Sequence, residues 1–106
     1  GIGGPLEEVA RLATEATARP INIRNADPMV AELEKELLDA LNMSQIGPMG
    51  MGGDTTALAV NIECSGTHRP WMPVAVNINC WPGRKATCRI YTDGRVEQII
   101  GGASHA

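Results

Sequence analysis

Phenylalanine is absent from this chain of 106 residues, and Trp71, Trp81 and Tyr91 are its only aromatic residues. A core must therefore be built from Val, Ile, Leu, Ala and Met. At this length it is a modest core in one small domain. Positive charge is also scarce: nine Lys and Arg against twelve Asp and Glu leave a net charge of −3. That balance gives no basic footprint for nucleic acid or for an anionic membrane surface. No run approaches the roughly 20 apolar residues of a membrane span. The opening residues also lack the basic start, apolar block and small-residue cleavage site of a signal peptide. The three cysteines are odd in number and show no disulfide-scaffold spacing, so a reducing, cytoplasmic setting is expected. The sequence opens at Gly1 with GIGG, which reads as a turn leaving a strand. A fragment of a larger domain is expected, with at least one sheet partner elsewhere.

What is present has a clear order. Pro5 suits the first turn of a helix, and Leu6, Val9, Ala10, Ala13 and Ala16 recur at helical spacing until Pro20 ends the run. GIGG before a helix invites an anion-binding reading, but it is too short for a dinucleotide fingerprint and is better read as a tight turn. Asp27 can cap a second helix, with Pro28 at its first position. Val30, Leu33, Leu37, Leu38 and Leu41 form an apolar stripe there, and Glu32, Glu34, Lys35, Glu36 and Asp39 are expected to face water. Near the end, Trp81-Pro82-Gly83 breaks the chain. Residues 86–92 and 95–100 then read as strands joined by Asp93-Gly94, a hairpin signal. The tail GGASHA is expected to fray.

Between these elements lies the stretch that carries the candidate chemistry, Ser44 to Trp81. Gly47, Gly50, Gly52 and Gly53 make a loop free to adopt positive φ and to approach a ligand. The segment ALAVNIEC alternates, with Leu58, Val60, Ile62 and Cys64 on one face, and PVAVNINC repeats the pattern with Val74, Val76, Ile78 and Cys80. Both read as strands, and His68 lies in the connection between them, where functional residues concentrate. The loop is no P-loop, because Asp54 stands where a Lys would be needed and a carboxylate there repels phosphate. Thr55 and Thr56 keep hydroxyls that can contact substrate or cap a turn. Met49 and Met51 read as gap-filling core. The plain readings of Cys80 and His68 are a packed thiol and an imidazole in a surface turn.

The blocks GPMGMGGDTTALAVNIE, THRPWMPVAVNINCW and GRKAT, with GIGGPLEEVARLATEA at the start, resemble the α-type half of the iron–sulfur hydro-lyases. These are the class I fumarases and L-tartrate dehydratases. The resemblance runs to about Glu97 and is most specific from His68 to Cys80. It implies that residues 1–106 are part of the α-type catalytic domain, from its C-terminal part. The implied reaction adds or removes water on a hydroxy-dicarboxylic acid, fumarate/malate or tartrate/oxaloacetate, with a four-iron four-sulfur cluster. It makes Cys80 a cluster ligand and His68 an active-site residue that hydrogen-bonds substrate or assists proton transfer. Thr55, Thr56 and Arg84 become candidate substrate contacts, Arg84 through its planar fork of donors. The remaining cluster cysteines lie outside this segment, so the chain alone is expected to be inactive. Cys64 and Cys88 match no ligand position and read as packing. The implied partners are a β-type half, separate or fused, in a homo- or hetero-oligomer, and a small dicarboxylate.

Two other readings come from different classes. One is a zinc module of Cys64, His68, Cys80 and Cys88, which lie 4, 12 and 8 residues apart without a C-x₂-C knuckle. The other is an inert fragment. The expected architecture is α+β: two helices packed on a small mixed or antiparallel sheet, with the Ser44–Thr56 loop bordering the active-site edge beside His68 and Cys80.

Overall fold

The computed structural model describes residues 1–80 and 86–101. Two helices and a two-stranded antiparallel sheet make an α+β arrangement, in the order α1 (Leu6–Ala18), α2 (Pro28–Met43), β1 (Ala86–Ile90) and β2 (Val96–Gly101). Both helices begin and end where the capping chemistry places them. Pro5 precedes α1 in extended conformation, and the helix stops before Arg19-Pro20, where ring sterics disfavour a helical residue. Asp27 caps α2 by accepting from the Met29 amide at 2.9 Å, with Pro28 as the first helical residue.

The core lies under α1. Val9, Leu12, Ala13 and Ala16 are buried, the small residues letting the helix approach backbone closely, and Ile62 meets them from the segment 57–64. Gly1–Gly4 threads between residues 63–66 and 73–75. The Ile2 amide donates to Glu63 (3.0 Å), Gly3 to Pro73 (2.9 Å), Gly4 to Gly66 (3.1 Å), and Ser65 returns a bond to Ile2 (2.9 Å). Gly1 lies so close to α1 that a Cβ there would collide with the Val9 carbonyl. GIGG is thus not a free turn but the rung that joins the two central segments.

Those segments differ from the expected strands. Residues 57–64 and 73–80 form no ladder and carry only single bridges, Ile2 to Cys64 and Ile2 to Val74. The reason lies in the backbone partners. The carbonyls of Val60 and Ile62 accept from the side chains of Arg24, Arg19 and Asn25, and the Ile62 amide donates to Glu34. Side chains therefore occupy positions that a ladder neighbour would fill. On segment 73–80, Asn77 and Asn79 turn toward α1, their amide groups 3.5 Å from the Thr14 hydroxyl and the Thr17 carbonyl. Val74, Val76 and Ile78 face outward and are exposed.

The α2 stripe is a second correction. Leu33, Leu37 and Leu41 are 37%, 41% and 40% exposed, and the one buried residue of the helix is Glu34, with no exposure at all. Glu34 lies four residues from both Val30 and Leu38, so it occupies the stripe itself and not the wet face. Its burial is possible because donors surround it. Arg19 Nη1 (2.8 Å), the Ile62 amide (2.8 Å) and the Asn25 amide (3.0 Å) bond its two oxygens, and Arg24 Nη1 stands at 3.5 Å. Arg19 also pairs with Glu63 at 2.9 Å and donates to the Ile62 carbonyl at 2.6 Å. One ionic knot thus ties the end of α1, the connection to α2, α2 itself and the segment leading from the glycine loop.

The hairpin forms as expected. The turn at Thr92–Gly94 is closed by Gly94 at φ +84° and by the Tyr91 amide donating to Arg95 (2.9 Å). A bulge shifts the register after Thr87, and β1 is exposed along its whole length. The radius of gyration is 16.6 Å, against about 13 Å for a compact chain of this length. The break at Trp81–Gly83 and the fraying of the tail beyond Gly101 lie outside the described residues.

Candidate active site

The glycine loop is a shaped structure rather than slack. Gly47 (φ +74°) opens it, Pro48–Gly50 make a single 3₁₀ turn, and Gly50, Gly52 and Gly53 follow with positive φ. At Gly47 the requirement is twofold, because a Cβ there would also collide with the Gly52 carbonyl. The turn closes through Met51 N to Pro48 O (3.0 Å) and Gly52 N to Ile46 O (2.7 Å). Met49 and Met51 project outward and are 94% and 86% exposed, so they are not the core filling expected of them. The loop places them at its convex tip, where nothing described covers them.

The two threonines at the loop exit play different parts. The Thr56 hydroxyl accepts from the buried Gly47 amide at 3.0 Å, and the Thr56 and Ala57 amides both donate to Asn42 Oδ1, at 2.8 and 3.0 Å. Thr55 is exposed beside them. Asp54 is exposed too, 3.4 Å from Gln45 Nε2. Asn42 was not visible as a functional residue in the sequence. Its signal is a polar amide in the last turn of an otherwise apolar-striped helix, immediately before a glycine-rich loop.

His68 begins a tight turn in which its carbonyl accepts from the Trp71 amide (3.1 Å), while Thr67 Oγ1 donates to the Trp71 carbonyl (2.9 Å). The turn lies at the N-terminal end of α1, because Gly4 bonds Gly66 there. Cys80 lies at the other end. Asn79 reaches Thr17, and Asn61, on the segment arriving from the glycine loop, donates to the carbonyls of Ala16 and Arg19. At 1.5 Å per residue the two ends of α1 are roughly 20 Å apart. The chain therefore sets Cys80 and His68 toward opposite ends of α1. His68 and Cys80 therefore do not lie side by side, as was expected of them at the loop's edge. The cause is the run 73–80, which passes along α1, with Asn77 beside Thr14 and Asn79 beside Thr17.

All three cysteines are free and exposed, so Cys64 and Cys88 are not the packed thiols that alternation suggested. Cover on the Cys64 face stops at Ile62, which is buried, and β1, which carries Cys88, is exposed along its length. Cys64 is held above its ordinary pKa by partial removal from water, against the lowering influence of the Gly1 amino group and with further raising by Glu63, Asp27 and Glu34. It is the poorer thiolate donor that results. Among the described residues no three His, Cys, Asp or Glu side chains gather as metal ligands, so the four zinc candidates do not converge. Arg84 lies outside the described residues.

The chain belongs to the fumarate hydratase (Fumerase) family, whose sequence profile matches residues 1–89. It is 46% identical over 96 residues to the putative L(+)-tartrate dehydratase subunit alpha of Methanocaldococcus jannaschii, covering 91% of this chain and 34% of that protein. It is 36% identical over 99 residues to the L(+)-tartrate dehydratase subunit alpha of Escherichia coli K12, covering 93% of this chain and 33% of that protein. The chain thus spans about a third of the length of the curated relatives it matches.

Proposed function

We propose that this chain is part of the α-type portion of a hydro-lyase that adds or removes water on a hydroxy-dicarboxylic acid, of the tartrate or fumarate type. The observation that carries this reading is the match of nine-tenths of the chain to tartrate dehydratase α subunits, with Cys80 free and exposed. Cys80 would supply one thiolate to a four-iron four-sulfur cluster, with the other ligands coming from polypeptide beyond these 106 residues. When bound, such a cluster supplies Lewis-acid activation of a substrate hydroxyl.

The chain's own residues have simpler tasks. The glycine loop holds a fixed backbone wall against the substrate, and Thr55 offers its hydroxyl there. Arg84, four residues beyond Cys80, draws a carboxylate by charge and bidentate donation. His68, toward the other end of α1 from Cys80, is given no step at that site in this reading. The β-type counterpart, as a separate subunit or a fused domain, would complete the pocket. The relatives are each named as a subunit alpha, which supports that partner.

The test uses the complete α-type polypeptide with its β-type counterpart, reconstituted anaerobically with iron and sulfide. Iron content, visible absorption, hydration of fumarate and dehydration of tartrate are followed together in wild type and Cys80→Ser. Loss of iron, colour and turnover in the variant supports the reading. A variant that keeps all three removes Cys80 from the ligand set and the proposed site with it.

A further inference from the structure

Two limbs of chain leave α2 and return at the neck of the glycine loop, and the ties between them converge on one side chain. Asn42, in the last turn of α2, accepts from the amides of Thr56 (2.8 Å) and Ala57 (3.0 Å) through the same oxygen. The Thr56 hydroxyl then accepts from Gly47 (3.0 Å) on the entering limb. An amide oxygen has two lone pairs and can satisfy both donors, whereas an aliphatic side chain would leave two backbone N–H groups without a protein partner. The helix anchors this oxygen, so the leaving limb inherits the helix's rigidity at the residue where the loop ends.

We propose that Asn42 is a positioning residue for the glycine loop, with Thr56 as its latch, and that Thr55 alone of the two threonines is presented to a carboxylate-bearing substrate. The ligand in this statement rests on the hydro-lyase reading. The latch rests on the geometry alone. Thr56 is committed to the loop's own frame, so the candidate substrate contact at Thr56 passes to its neighbour. Asn42 touches no substrate and acts only through the direction it gives the chain at residues 55–57.

The experiment compares Asn42→Ala, Asn42→Asp, Thr55→Ala and Thr56→Val in the complete enzyme. Amide hydrogen exchange across residues 42–57 is measured alongside kcat, KM and iron content. Asn42→Ala should lose protection at Thr56, Ala57 and Gly47. Its KM for the dicarboxylate should rise roughly tenfold or more while kcat and iron content stay near wild type. Asn42→Asp keeps an acceptor oxygen for both amides and should restore protection and KM. Thr55→Ala should raise KM with protection intact, and Thr56→Val should lose protection at Gly47. Unchanged exchange in Asn42→Ala overturns the latch, and lost exchange with an unchanged KM overturns the positioning role. A Thr55→Ala enzyme with wild-type KM returns the substrate contact to Thr56. If Asn42→Ala does not fold, Asn42→Leu, which keeps the side-chain bulk without the acceptor, is read in the same way. If the wild type turns over no dicarboxylate, the hydro-lyase reading fails, and the exchange data still decide whether Asn42 holds the loop.

Discussion

Removing the Glu34 carboxylate should cost this chain more stability than any other single change on its surface or in its small core. The carboxylate is wholly buried and bonded by three donors within 3.0 Å, with Arg24 at 3.5 Å. Glu34→Ala leaves the Ile62 amide without its partner and leaves Arg19, 12% exposed, with only Glu63 to balance it. Breaking a buried pair from one side costs about 3–5 kcal/mol. The remaining Arg19–Glu63 contact puts the expected loss near the lower figure, about 3 kcal/mol. A small domain has a total stability of about 5–15 kcal/mol, so Glu34→Ala should lose a large share of it and unfold at a clearly lower urea concentration. Glu34→Gln keeps one acceptor oxygen and the side-chain shape, and should lose about 1–3 kcal/mol.

The pH dependence follows the same group. Burial by itself would raise the Glu34 carboxyl, but the bonds from Ile62, Asn25 and Arg19, with the charge of Arg19, hold it below the ordinary carboxylate value. A lowered native value means that stability is fully present above the unfolded-state pKa and is lost as pH falls through the native one. Urea unfolding followed by circular dichroism, from pH 7 down to about pH 3, reads both effects. The wild-type midpoint should drop below about pH 4, and in Glu34→Gln that drop should flatten. Variants within about 0.5 kcal/mol of wild type at pH 7, or an equal acid loss in Glu34→Gln, would refute the reasoning.

Other expectations follow from single positions. Gly47→Ala should destabilise the loop by about 1–3 kcal/mol, since φ +74° is strained for alanine and the Gly52 carbonyl blocks its Cβ; the urea midpoint with an unchanged m-value checks it. Arg11 pairs with Glu8 and Glu15 on the wet face of α1, and Arg11→Ala should leave the urea midpoint unmoved. All three cysteines should react with a thiol reagent in the native chain, with Cys64 the slowest at neutral pH because its thiol is held above the ordinary value. Mass-resolved labelling rates at two pH values test that order.

How much of this was legible beforehand differs by element. The helices and the hairpin were readable almost to the residue, because their signals are local. Asp27-Pro28 starts α2, Pro20 stops α1, and Asp93-Gly94 turns the hairpin. The glycine loop was legible for the same reason, and the family resemblance rested on contiguous blocks that the comparisons match. The central segments were misread as strands because alternation reports an extended backbone and says nothing about what its N–H and C=O groups will meet. Here Glu34, Arg19, Arg24 and Asn25 meet them.

The sequence by itself determined where helices begin and end, where glycine is obligatory, and which family the chain joins. Each of these depends on a few neighbouring residues and their intrinsic conformational limits. Only the tertiary structure decided that Glu34 is the buried hub, that Asn42 and Thr56 close the loop, and that His68 and Cys80 lie at opposite ends of α1. Those outcomes depend on groups 9 to 28 residues apart in the chain for the hydrogen bonds, and on the length of a helix for the separation. A carboxylate reads as a wet residue until the donors that surround it are brought together by folding.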